Sequence, residues 1–119
     1  MTEQALVYLN VGGIVFVTRR VTLQESSSFF ADLIASFPEC SEIFVDRDAT
    51  YFRHVLNWIR GVRYLPEDDA VLKELAWEAD YFKMSEMREA IIRMRPRHNL
   101  CQTLHKISTQ LTEREPRND

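Results

Sequence analysis

A glycine pair directly after an apolar run is a candidate phosphate cradle, and Gly12 and Gly13 occupy that place in the stretch VYLNVGGIVFVTRR. A phosphate loop would continue with Lys-Ser or Lys-Thr and open a helix, so that backbone N–H groups and the helix dipole meet the anion. IVFVT follows instead, a β-branched and aromatic run that predicts a second strand. The glycines therefore read as the turn of a β-hairpin, where tight connections need positive φ. His98, Cys101 and His105 fall three and four residues apart, on one helix face with zinc-compatible chemistry. A structural zinc takes four ligands, the fourth is missing from the pattern, and a solvated helix face accounts for the spacing, so no metal is expected. No Ser-His-Asp or Cys-His arrangement is present, and the carboxylates fall mostly at helix starts, where capping explains them. Neither catalytic residues nor a cofactor are expected. His54 reads as a partly exposed structural residue.

The elements that must carry these residues come in a readable order. After the hairpin, TLQE matches a capping box with Thr22 as the cap, and the serines of ESSSFF offer alternative caps one turn later. Phe29, Phe30, Leu33, Ile34 and Phe37 recur at helical spacing and predict a buried stripe, which Pro38 ends. EIFVD, residues 42–46, predicts a short strand. Asp48 is placed to cap the helix ATYFRHVLNWIRG, whose inward face would carry Phe52, Val55, Leu56 and Ile59, with Gly61 as its left-handed stop. Past Leu65-Pro66, acidic Glu67, Asp68 and Asp69 open a helix with Val71, Leu72, Leu75, Ala76, Ala79 and Phe82 inward. A last helix begins near Ser85, with Met87 and Ile91 inward, and meets Pro96. Strands early and helices late predict an α+β domain, a small sheet covered by helices.

With 119 residues, 45% of them hydrophobic, the chain suits one core. A net charge of -3 gives no field to attract nucleic acid or an anionic membrane, so neither is an expected partner. No apolar run is long enough to cross a bilayer and the start, MTEQ, is unlike a basic-then-apolar leader. A cytoplasmic protein is expected, with Cys40 and Cys101 as reduced thiols.

LNVGGIVFVTRRVTL, then SSFFADLI, IFVDRDATYFRHVLNWIRG and LPEDDAVLKELAWEADYF, in that order, resemble the BTB/POZ fold in its potassium-channel tetramerisation form. The resemblance covers residues 6–94, so residues 1–95 are expected to be the domain and 96–119 an extension. It implies an assembly module without chemistry of its own. Similar proteins form closed rings, tetramers in voltage-gated potassium channels and often pentamers in soluble adaptors of cullin-type ubiquitin ligases. A head-to-tail ring needs one flank of each subunit to complement the other, and charged pairs fix that register. By their match to the family's polar interface, Asn10, Thr18, Arg19, Asp46, Arg47, Asp48 and Arg53 are expected at the contact between copies. The local alternative has Asp48 capping its helix and Arg47 pairing with it across solvent, a pair worth about 0–1 kcal/mol.

A cullin would meet the helix-to-strand loop, with Phe37, Glu39 and Ile43 as contact residues. The zinc-binding His-Cys stretch of some channel members is absent, which with the short loop ASFPECSEIF favours the adaptor over the channel assembly domain as the expected function. Leu100, Leu104, Ile107 and Leu111 repeat at four, three and four, the seam of a short amphipathic helix that needs something to dock on; a flexible linker is the alternative. The polar carboxy-terminal end suggests a piece of a longer protein.

Overall fold

The computed structural model of the protein describes residues 5–95. Strand β1 (Leu6–Val11) turns at the glycines into β2 (Ile14–Arg19), followed by a short helix α1 (Arg20–Gln24) and by α2 (Ser28–Ser36). Strand β3 (Glu42–Val45) returns to the sheet and leads to α3 (Phe52–Ile59) and α4 (Asp69–Tyr81). Residues 85–95 are helical and are labelled α5. The sheet order is β2-β1-β3, with β1 antiparallel to β2 and parallel to β3. This is the expected α+β fold, and the expected seam residues of 96–119 lie outside the described residues.

The hairpin forms because both glycines take positive φ, +56° at Gly12 and +104° at Gly13, across a two-residue connection that pairs Val11 with Ile14. Alternation along the strands then sends Val7, Leu9, Val11, Ile43 and Val45 into the core. Against them pack Phe30 of α2, Phe52 of α3 and Phe82 just past α4. Phe30 stacks on Phe82 with centroids 5.0 Å apart, and Phe52 meets Phe82 edge-on at 5.4 Å. Leu72, Leu75 and Ala79 of α4 and Met87 and Ile91 of α5 complete the core as their spacing predicts, and Gly61 stops α3 at φ +97°.

Four local expectations change. Thr22 caps nothing: it lies inside α1, which starts at Arg20 without a side-chain cap, and Ser27 caps α2 by accepting from the Phe30 amide. Asp48 does not cap α3, whose N-cap is Tyr51; its carboxylate instead closes a turn by accepting from the Thr50 amide and hydroxyl. Phe37 leaves the buried stripe because α2 ends at Ser36 and the chain turns away before the helical phase places it. Trp58 joins the buried face of α3.

Candidate functional site

The sheet has two unlike faces. Strand alternation and register put Leu6, Tyr8 and Asn10 of β1, Val15, Val17 and Arg19 of β2, and Glu42 and Phe44 of β3 on the face away from the helices. Leu6, Tyr8, Val15, Val17 and Phe44 are each between 39% and 60% exposed, so five large apolar side chains share one solvent-facing surface. Scattered exposed apolar residues are ordinary; a group spread over three adjacent strands marks an interaction surface. Charge frames it unevenly: Arg19 stands at one end of β2, while Glu42 lies on the far strand with exposed Asp46 just beyond β3. At the free edge of β2, the Arg60 guanidinium donates to the Val17 carbonyl.

A second constellation sits where the hairpin turn meets the end of β3. Asn10 Oδ1 accepts from the Gly13 amide at 2.8 Å and Asn10 Nδ2 donates to Glu42 Oε2 at 3.3 Å. Gly12 N donates to the Val45 carbonyl at 3.0 Å. A Cβ on Gly12 would stand 2.3 Å from the Arg47 carbonyl oxygen, so this glycine serves a close backbone approach as well as the turn. The Arg47 side chain turns back onto α4: Nη2 meets Glu78 Oε2 at 2.5 Å, Nε meets Oε1 at 3.3 Å, and the guanidinium lies 4.2 Å from the Tyr81 ring centroid. Hydrogen bonding to Glu78 outweighs partial burial and raises Arg47 above its ordinary range. The solvent pair with Asp48 that the local alternative gave Arg47 does not form; Arg47 pairs with Glu78. Asp48 is held below the usual aspartate range, first by the Thr50 hydroxyl and then by the Thr50 amide.

The seven residues expected between copies do not form one patch. Asn10, Asp46, Arg47 and Asp48 gather at the hairpin end of the sheet. Thr18 and Arg19 lie at the opposite end of β2, roughly 15 Å away along a strand. Thr18 is only 5% exposed and pairs with Val7, whereas Arg19 is exposed. Arg53, exposed on α3, has its guanidinium 5.9 Å from the Phe16 ring centroid.

Of the three residues expected to contact a partner, Phe37 is 43% exposed and Glu39 is exposed. Ile43 is 4% exposed with its side chain in the core, and its outward neighbour is Phe44. The loop between α2 and β3 is held by Arg20, the first residue of α1, to which no local sequence pattern gave a role. Glu78 and Tyr81 were likewise legible only as positions on a helix.

Among the described residues no group of three or more His, Cys, Asp or Glu side chains is arranged to hold a metal, and His98, Cys101 and His105 lie outside those residues. His54 is half-buried on α3, its ring 6.5 Å from that of Tyr51. No helix among the described residues is long and apolar enough to cross a membrane.

Comparison with known proteins adds the following. A family model described as a BTB/POZ domain matches residues 7–91. Over 95 residues the chain is 34% identical to FH protein interacting protein FIP2 of Arabidopsis thaliana, an alignment covering 73% of this chain and 32% of that protein. It is 33% identical over 88 residues to the BTB/POZ domain-containing protein KCTD17 of Homo sapiens, covering 68% and 28%. With human KCTD5 it shares 33% identity over 89 residues, covering 68% and 38%. The chain thus spans about a third of the length of the curated relatives it matches.

Proposed function

The chain belongs to the BTB/POZ family in its potassium-channel tetramerisation form, a protein-interaction and oligomerisation module, and from that premise we propose that it assembles copies of itself into a ring and presents them to a cullin. The observation that carries self-assembly is the apolar outer face of the sheet. Leu6, Tyr8, Val15, Val17 and Phe44 have no covering element among the described residues, and a second copy supplies the cover. Arg19 on one side and Glu42 with Asp46 on the other suit a head-to-tail contact, in which unlike flanks meet and opposite charges set the register. Asn10 lies within that face; Arg47 and Asp48 shape the backbone that carries Asp46. A closed ring of four or five copies is the assembly proposed, in the cytoplasm.

Light scattering tests this. The wild-type mass should be four or five times the 14.0 kDa of one chain, and Phe44→Asp, which places a charge on the most exposed apolar side chain of the face, should reduce it to a single chain with the fold intact. A wild-type protein that stays a single chain at high concentration would sink the ring.

The cullin adaptor role rests on the loop between α2 and β3, which displays Phe37 and Glu39 in a fixed backbone. Several loops on one ring raise avidity without new contacts. Capture of the amino-terminal domain of a cullin by wild type but not by Phe37→Ala supports it. Failure of the wild type to capture that domain returns the assembly domain of a channel as the reading.

A further inference from the structure

Every side chain in the loop 37–41 is exposed, so burial does not fix its course. Hydrogen bonds do. Phe37 N donates to the Ile34 carbonyl and Cys40 N to the Phe37 carbonyl, both at a long 3.3 Å, while the Ser41 carbonyl accepts from Tyr8 N of β1 at 2.7 Å. The shorter restraints on the turn itself come from Arg20. Its Nη1 donates to the Cys40 carbonyl at 2.8 Å, and its Nη2 donates to the Phe37 carbonyl at 2.8 Å and the Ile34 carbonyl at 3.3 Å. One guanidinium thereby closes the last turn of α2 and clasps both ends of the turn that follows. Its positive charge also faces the negative end of the α2 dipole. Arg20 is itself well anchored, its amide donating to the Ala5 carbonyl at 2.9 Å where β2 passes into α1.

We propose that Arg20 is the positioning residue of the partner-docking loop, holding its backbone in the bound shape so that Phe37 and Glu39 meet the partner already ordered. This rests on the reading of that loop as the cullin contact. The partner surface that fits has an apolar pocket for Phe37 beside a cationic or N–H donor group for Glu39. A loop ordered in advance loses little freedom on binding, and Arg20 supplies that order from outside the contact. Arginine is required because its planar fork reaches three carbonyls from two nitrogens, whereas lysine presents a single point charge.

Arg20→Lys keeps the charge and removes the fork; Arg20→Gln removes both. In each, hydrogen exchange at the Cys40 amide should quicken at least about tenfold while the paired amides of β1 and β2 keep wild-type rates. Titrated with the amino-terminal domain of a cullin, Arg20→Lys should bind about tenfold more weakly at unchanged assembly mass. Combined with Phe37→Ala, it should weaken binding by less than it weakens the wild type, because only Glu39 is then left for the ordered loop to present. Wild-type exchange at Cys40, wild-type affinity, or additive losses would each overturn the proposal. If the wild type itself does not bind that domain, the cullin reading falls, and the exchange rates decide separately whether Arg20 positions the loop.

Discussion

Gly12 and Gly13 share a turn and differ in what they tolerate. At Gly13 an added Cβ meets nothing within 4 Å, so Gly13→Ala costs only the strain of positive φ, about 1–2 kcal/mol. At Gly12 the same strain is joined by a clash with the Arg47 carbonyl, a backbone atom that moves only if the start of the 46–48 segment moves. Gly12→Ala should therefore cost about 3 kcal/mol or more in unfolding free energy relative to wild type, against the smaller loss in Gly13→Ala. Equal losses would mean that the hairpin does not press on that segment. Asp48 makes a different prediction, in pH. Its folded value is lowered, so its contribution is present above the ordinary aspartate range, around 3.9, and is lost as pH falls through the lowered value. The main cause is the Thr50 hydroxyl, so Thr50→Val should make the acid limb of the stability curve shallower in denaturant titrations between about pH 5 and 2. An unchanged limb would show that the Asp48 carboxylate gains nothing from that hydroxyl.

At the scale of elements, the first helical turn shows where sequence patterns mislead. TLQE and SSSFF both offer caps, and only the second is used: Ser27 accepts from the Phe30 amide at 3.5 Å, and its hydroxyl donates to the Phe82 carbonyl at 2.6 Å. Ser27→Ala should cost about 1–2 kcal/mol in thermal or denaturant unfolding, since it uncaps α2 and leaves the end of α4 without a donor, while Thr22→Ala should cost much less. The reverse order would show that the capping box operates after all. The hairpin, the faces of α3 and α4 and the stop at Gly61 were legible because local rules decide them: positive φ, helical period and a left-handed cap. The end of α2 was legible in Pro38, but its consequence for Phe37 was not, since a stripe predicts burial only while the helix lasts. The partners of Arg47 and Arg20 were hidden from the sequence for one reason. Their partners, Glu78 and the Phe37 and Cys40 carbonyls, are 31, 17 and 20 residues away in the chain, and no local pattern joins them. β2 did carry a signal that went unused. IVFVT is apolar on both faces, which in a strand points to cover on both sides.

For the whole molecule, the proposed ring would tie folding to assembly through that doubly apolar strand. A domain whose outer sheet face is covered only by another copy gains stability from association, and such stability depends on concentration by mass action. In a closed ring of four or five copies, tenfold dilution removes about 1 kcal/mol per chain where folding and assembly are coupled, and lowers Tm by about 4–8 °C for a domain of this size. Phe44→Asp should abolish the dependence: Phe44 projects from the sheet without entering the core, so the variant keeps its fold and melts at one temperature at every concentration. Wild-type Tm values that do not move across a hundredfold dilution, together with a Phe44→Asp variant that melts where the wild type does, would show that the face adds nothing to stability. If instead the wild-type Tm moves with dilution and that of Phe44→Asp does not, the ring is held through the sheet face that carries Phe44.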